Sequence, residues 1–146
     1  MSSSIMAVPF IEVTLPSDTT EARRFQDTIE QQMIARKVGD RDIFNVRLAL
    51  EEALVNAIKH GNQFDPNKRV FVKYRFLGDI PGIFEIEIMD QGPGFDPSDV
   101  PDPTAVENLE RPCGRGLMLM RHYMTEVEYR GSGNEVVMSK VFHKPS

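Results

Sequence analysis

Three groups of residues in this 146-residue sequence have types and spacings that could support chemistry. In the first group, Glu52, Asn56 and Lys59 recur at helical spacing and share one face. A carboxylate and an amide oxygen one turn apart form a hard-oxygen site that suits Mg²⁺ or a hydroxyl near phosphates. The same spacing is typical of a plain solvated face opposite the apolar stripe of this helix, formed by Leu50, Ala53, Leu54, Ala57 and Ile58.

The second group, Asp90, Gly92 and Gly94, directly follows a segment that alternates apolar and polar residues. A carboxylate at the end of a strand accepts hydrogen bonds, and glycines let a flat group approach the backbone because they carry no Cβ. The group therefore predicts a ligand site, with an ordinary Asp-Gly-Pro turn as the alternative.

The third group, Gly114, Arg115, Gly116 and Leu117, opens a predicted helix. Free N–H groups at a helix N-terminus, together with the helix dipole, attract phosphate. A flexible loop that meets a helix is the alternative. The group is not a P-loop, because no Gly-Lys-Ser/Thr follows, and it is not a Rossmann fingerprint, because no strand leads directly into it.

The hydrophobic pattern predicts the elements that position these groups. Helical spacing predicts helices at about 18–38, 43–60 and 114–124, and alternation predicts strands at 10–15, 69–77, 83–89, 126–130 and 135–142. Ser17 or Asp18 is the expected N-cap of the first helix, Asp40 or Asp42 that of the second, and Gly61 the C-terminal stop. Because the strands alternate, one sheet face is buried, which predicts an α+β fold. Its architecture is a two-layer α/β sandwich with helices on one face of a mostly antiparallel sheet.

Residues 91–113 are rich in proline and glycine and show no clear period. A segment of this length inside a compact domain is usually functional, and here a lid at about 96–113 is expected. The predicted organisation is a tail at 1–9, a single domain at 10–143 and a second tail at 144–146.

Composition excludes several classes of protein. The chain has 17 basic and 22 acidic residues, a formal charge of −5, and no basic run, which argues against direct binding of nucleic acid. No apolar run approaches the roughly 20 residues that cross a bilayer, and no secretory signal begins the chain. A single cysteine, Cys113, excludes an internal disulfide and a cysteine-based zinc site. We therefore expect a cytoplasmic protein.

Taken together and in order, the three groups resemble the N, G1 and G2 boxes of the GHKL (histidine kinase-like) ATPase superfamily, which includes gyrase and the histidine kinases. The short stand-alone form most resembles the bacterial anti-sigma factor serine/threonine kinases, over about residues 11–142. The resemblance rests on Glu52-x-x-x-Asn56-Ala57-x-x-His60-Gly61, Asp90-x-Gly92-x-Gly94-Phe95 and Gly114-x-Gly116-Leu117. It implies the Bergerat ATP-binding fold.

The resemblance also implies roles for individual residues. Asn56 would coordinate Mg²⁺ at the phosphates of ATP, and Glu52 would act as general base toward a serine or threonine hydroxyl. Asp90 would accept the exocyclic amine of adenine. The remaining nucleotide contacts are expected from the glycines of the second and third groups and their neighbours, namely Gly92, Gly94, Gly114, Gly116 and Leu117, with added positive charge from Arg115 and Lys59.

The implied function is an ATP-dependent protein serine/threonine kinase that acts as an anti-sigma factor. In this family the kinase binds a sigma factor and phosphorylates a STAS-type antagonist protein, and the resemblance also implies a homodimer. A non-catalytic ATP-binding module that sequesters a protein partner is the alternative, because one fold supports both functions. A third interpretation, an ATPase fragment related to gyrase, requires a transducer domain for which this chain is too short.

Overall fold

The computed structural model describes residues 8–93 and 112–144, with only the backbone of 112–116. Its elements, in chain order, are β1 (Ile11–Pro16), α1 (Thr19–Ala35), α2 (Asp40–Val55), a π-helical segment (Asn56–Gly61), β2 (Arg69–Leu77), β3 (Ile83–Met89), α3 (Pro112–Tyr123), β4 (Glu126–Arg130) and β5 (Glu135–Val141). The predicted lid lies almost wholly outside the described residues, as do most of both predicted tails.

The five strands form one sheet in the order β1-β2-β3-β5-β4, and every neighbouring pair is antiparallel. Residues on alternate positions of the strands, such as Val72, Ile86 and Met138, are buried beneath the helices. The apolar stripe predicted for the second helix is buried as well. The α+β sandwich with helices on one sheet face is therefore confirmed.

The starts of the first two helices differ in how they are capped. Asp18 caps α1 as predicted, because its side chain accepts a hydrogen bond from the backbone N–H of Thr20 at 2.8 Å. The expectation that Asp40 or Asp42 caps α2 is wrong. Gly39 is the N-cap and makes no side-chain hydrogen bond, while the Asp42 carboxylate lies inside the fold and binds His143.

The C-terminal end of α2 continues into the π-helical segment and stops at Gly61, the predicted stop residue. The wider turn is visible in the backbone, where the N–H of Asn62 donates to the carbonyl of Ala57, five residues earlier, at 2.8 Å. Short π segments occur often at functional sites. Here the segment delivers the end of the helix to the end of β3.

Among the described residues, no helix is both long and apolar enough to span a membrane.

Candidate functional site

A pocket opens where the C-terminal end of α2 meets the end of β3 and the start of β5. Its polar rim includes Asn56, His60, Asp90 and Asn134, and its apolar wall includes Ile88 and Val136. Asn56 and Asp90 are 34 positions apart in the sequence, yet the fold brings both predicted site residues to one cavity.

Asn56 has an unsatisfied polar atom at this pocket. Its side-chain amide nitrogen is buried and has no hydrogen-bond partner in the described part of the chain. A buried polar atom without a partner costs about 1–3 kcal/mol, so most such atoms in folded proteins are satisfied. The exception here is consistent with a partner supplied by a ligand.

Asp90 follows β3 directly, as predicted, and is only 9% exposed. Its carboxylate accepts a hydrogen bond from the backbone N–H of Gly92 at 2.8 Å, and its backbone N–H donates to the carbonyl of Asn134 at 2.9 Å. Burial raises the pKa of Asp90, although the Gly92 hydrogen bond and the charge of Lys68 act in the opposite direction. The pocket therefore holds a carboxylate with few internal partners.

Gly61 and Gly92 allow the two backbones of the pocket to touch. A Cβ on Gly61 would overlap the carboxyl group of Asp90, and a Cβ on Gly92 would overlap the carbonyl group of Gly61. The contact at Gly92 is with backbone, which cannot move aside as the end of a flexible side chain can. Glycine is required at both positions because the two segments approach each other too closely for a Cβ. This close contact fixes the position of Asp90 below the π-helical segment.

Asn62 ties this arrangement to the rest of the fold and is fully buried. Its amide nitrogen donates to Ser17 Oγ at 3.1 Å and to the carbonyl of Arg69 at 3.0 Å. Its amide oxygen accepts from the backbone N–H of Gln91 at 2.8 Å. One side chain thus holds the end of the π-helical segment against the residues between β1 and α1, the start of β2 and the residues after Asp90.

Glu52 lies one turn before Asn56 on α2 and is half-buried. Within the described ranges 8–93 and 112–144, its carboxylate makes no hydrogen bond or ion pair. It does not line the pocket itself. A free carboxylate beside the pocket is consistent with a base that meets its partner only when a substrate binds.

Lys59 was predicted to contact the nucleotide and His60 was not, but the structure places them the other way round. Lys59 is exposed and does not line the pocket, whereas His60 does. Burial lowers the pKa of His60, and the nearby charge of Lys59 lowers it further. Both effects favour the neutral form of the imidazole at the pocket.

The third predicted group begins inside a helix, because α3 starts at Pro112 and not at Gly114. Gly114, Arg115 and Gly116 belong to the first two turns of α3, and Leu117 is buried. Gly94 and the Arg115 side chain fall outside the described residues. Their predicted roles stay predictions.

Sequence reasoning included His60 in the first motif without giving it a role at the site, and it missed Asn62 and Asn134 as parts of this region. Asn134 lies between the predicted strands at 126–130 and 135–142, and its side-chain amide donates to the carbonyl of Asp90 at 3.1 Å. Asn62 follows the helix stop and carries no pattern of its own. Only the helical spacing of His60 from Asn56 was available as a signal.

The donor set also limits how a metal could bind. Among the described residues, no group of three or more His, Cys, Asp or Glu side chains could hold a metal ion. Mg²⁺ does not need such a group, since it commonly keeps several waters and binds one or two protein oxygens plus substrate phosphates. The amide of Asn56 fits that pattern, and it would hold Mg²⁺ only together with a nucleotide.

Comparison with known proteins assigns this chain to a family. A sequence model described as "Histidine kinase-like ATPase domain" matches residues 15–140. The chain belongs to this family. The resemblance to the histidine kinase-like superfamily is thereby confirmed, and a histidine kinase-like ATPase domain implies the use of ATP.

The relatives of this histidine kinase-like ATPase domain include a kinase. Over 142 residues the chain is 28% identical to the serine-protein kinase RsbW of Staphylococcus aureus, in strains JH9 and Newman, covering 92% of this chain and 88% of the relative. The fold resembles the crystal structure of the RsbU and RsbW domains of a Mycobacterium tuberculosis protein, with a TM-score of 0.64 and 17% identity. That match covers 95% of this chain and 34% of the solved chain, and it supports the fold.

Proposed function

We propose that this protein is an ATP-dependent serine/threonine-protein kinase that acts as an anti-sigma factor. The observation that carries the proposal is the pocket shared by Asn56 and Asp90, in which one amide nitrogen lacks a partner among the described residues and one carboxylate is poorly stabilised. Both groups gain hydrogen bonds or charge partners when a nucleotide and its cation bind. The similarity to a serine-protein kinase favours phosphoryl transfer over other uses of ATP.

Three residues of the proposed site have separate roles in base recognition, cation binding and proton transfer. Asp90 accepts the exocyclic amine of adenine, which distinguishes ATP from GTP, because guanine presents an acceptor at that position. Asn56 supplies an oxygen to Mg²⁺, which when bound neutralises charge on the phosphates. Glu52 takes the proton of a serine or threonine hydroxyl. At the same time the hydroxyl oxygen bonds to the γ-phosphorus, and the bond from the γ-phosphorus to ADP breaks so that ADP leaves.

The remaining predicted contacts complete the nucleotide site. Gly92 and Gly94 shape the base pocket, and Gly114, Arg115, Gly116 and Leu117 lie at the lid end beside the phosphates. Lys59, which is exposed outside the pocket, serves only as distant positive charge.

The acceptor is a STAS-type antagonist protein, and the second partner is a sigma factor. In this partner switch the kinase holds the sigma factor when ATP is bound. The antagonist displaces the sigma factor until the kinase phosphorylates it. A homodimer in the cytoplasm belongs to the same proposal, since the family resemblance implies it.

Transfer of labelled γ-phosphate from ATP to a STAS-type protein tests the kinase assignment. The wild-type chain is expected to label a serine or threonine of the acceptor, and Glu52→Gln to lower the rate by about a hundredfold or more while ATP binding persists. Glu51→Gln is the matched control, because Glu51 is the neighbouring exposed carboxylate and binds Gln26 at 2.7 Å. Full transfer by Glu52→Gln would remove Glu52 from its role.

The second candidate function is a non-catalytic module that binds ATP and sequesters a protein. It is favoured by the fact that Glu52 does not line the pocket. ATP binding without any labelled acceptor would support this candidate. Capture of partners from the native lysate with Mg-ATP and with Mg-ADP then separates the two, since only the partner switch exchanges a sigma factor for an antagonist.

A further inference from the structure

A second concavity lies at the opposite end of α2 from the nucleotide pocket. It has a volume of about 800 Å³, and its lining includes Lys37, Arg41, Asp42, Lys140, His143 and Lys144. We call it the basic cavity. Asp42 and Asn56 are separated by 14 positions on this helix, so the two sites are about 20 Å apart.

The single carboxylate in the lining of the basic cavity is already occupied. Asp42 is 3% exposed, and its carboxylate accepts hydrogen bonds from the backbone N–H of His143 at 2.7 Å and from the imidazole Nδ1 at 2.9 Å. The Lys140 ammonium lies 3.9 Å from it and donates to the carbonyl of Tyr123 at 2.6 Å. This carboxylate therefore presents no free negative charge to a ligand.

The other cations around the basic cavity have no such partners within the part of the chain that the structure describes. Lys37, Arg41 and Lys144 are exposed, and none of them forms an ion pair with any residue in 8–93 or 112–144. They come from separate segments, the α1–α2 turn, the first turn of α2 and the chain after β5. A concave surface lined by charges of one sign concentrates ligands of the opposite sign, even on a chain whose formal charge is −5.

We propose that the basic cavity binds an acidic peptide segment of a partner protein. A volume of about 800 Å³ with cations on several sides exceeds the needs of one inorganic anion, and it suits a few carboxylates carried along a chain. Nucleic acid fits less well, because the net-acidic surface repels a long polyanion that extends beyond the cavity. The proposal is independent of the kinase assignment, which concerns the other end of α2.

Fluorescence anisotropy with a fluorescein-labelled hexaglutamate peptide and the full chain tests this site. The wild-type chain is expected to bind the peptide, and binding is expected to weaken when ionic strength rises from about 0.05 to 0.3 M. Lys37→Asn combined with Arg41→Gln is expected to weaken binding by about tenfold. Asparagine suits position 37, because φ is +60° there and asparagine adopts this left-handed conformation readily.

Arg24→Gln combined with Lys73→Gln is the matched control. It also removes two exposed cations, whose side chains are 74% and 53% exposed, but it removes them from α1 and β2 outside the basic cavity. The control is expected to change the affinity by less than about twofold. Equal losses in the two double variants would overturn the proposal, as would equal binding of a hexaglutamine peptide.

Two competitors separate the basic cavity from other sites. Saturating Mg-ATP is expected to leave peptide binding unchanged, and displacement by ATP would overturn the proposal by locating the peptide in the nucleotide pocket. A six-nucleotide oligothymidine is expected to bind more weakly than the peptide. Tighter binding of the oligonucleotide would overturn the assignment of a protein partner.

Discussion

The two ends of α2 each hold a buried carboxylate, and the surroundings of these carboxylates differ. Asp42, near the N-terminal end, is 3% exposed and is bound by His143 and Lys140. Asp90, beside the C-terminal end, is 9% exposed and accepts a backbone N–H from Gly92 without any ion pair in the described part of the chain. Burial raises its pKa as a result.

This difference separates a structural carboxylate from one available to a ligand. When a buried charge has cationic partners, removing one partner is costly because the other charge is left buried and uncompensated. A buried charge with few partners costs stability in the free protein, and a ligand that supplies hydrogen-bond donors recovers that cost. The fold therefore stabilises Asp42 internally and leaves Asp90 to be stabilised by adenine in the proposed function.

The largest effect is expected from Gly92→Ala, which tests the close backbone contact at the Asp90 end. The new Cβ would overlap the carbonyl group of Gly61, so the backbone must shift. We expect a loss of ATP affinity of roughly a hundredfold by calorimetry, and a free energy of unfolding lower by about 2 kcal/mol in urea.

Gly39→Ala is the matched control at the Asp42 end of α2. Among the described residues, nothing lies within 4 Å of a Cβ placed on Gly39, and φ is −68°, which alanine adopts freely. Because glycine is preferred to alanine at an N-cap, the free energy of unfolding is expected to fall by only about 0.5–1 kcal/mol. Similar losses in the two variants would contradict the difference between the ends.

Asp42→Asn is expected to lower the free energy of unfolding by about 2 kcal/mol. Asparagine keeps an oxygen that can accept the backbone N–H of His143, but it loses the charge that faces Lys140. Urea unfolding measures the effect, with Asp40→Asn as the control on an exposed residue of the same helix turn. If both substitutions lower the free energy of unfolding equally, the buried contacts of Asp42 with His143 and Lys140 do not stabilise the fold.

Asp90→Asn is expected to weaken ATP binding by about tenfold without lowering the free energy of unfolding at pH 7. The raised pKa means that the folded chain retains the proton longer than the unfolded chain. The contribution of Asp90 to stability therefore falls as pH rises above its ordinary pKa of 3.8. Asparagine cannot ionise, so the wild type should lose stability relative to the variant across that range. A less stable variant at pH 7 would place Asp90 in the same class as Asp42.

The smallest effect is expected from His60→Gln. The lowered pKa of His60 means that the unfolded chain takes up a proton before the folded chain does. The stability that neutral His60 contributes is present above the ordinary pKa of 6.5 and is lost as pH falls below it. Urea unfolding at a series of pH values should show a shallower decline for the variant. An unchanged decline would assign the pH dependence to other groups.

Local patterns in the sequence predicted most of the fold. Strict alternation located β2, β3 and β4 at their observed bounds. These signals depend on neighbours along the chain. The carboxylate of Asp90 and the amide of Asn56 were also predictable, because their spacing belongs to a recognisable family of motifs.

The contacts that sequence reasoning missed join distant residues. His143 binds Asp42 across 101 positions, and Gln91 binds Asn62 across 29. Capping preference favoured Asp42 as a local cap, but the tertiary partners at the other end of the chain compete for the same carboxylate. The close approach that leaves no room for a Cβ on Gly61 exists only once the sheet and the helix have packed together.

The geometry of the nucleotide pocket depends on the number of residues in the π-helical segment as well as on their identity. A π turn closes over five residues where an α turn closes over four. Deleting one residue between Asn56 and Gly61 would remove the residue that the wider turn accommodates. The close contact between Gly61 and Asp90 therefore depends on the number of residues in this segment. Substitutions on the exposed side of this segment can therefore accumulate, while insertions and deletions cannot.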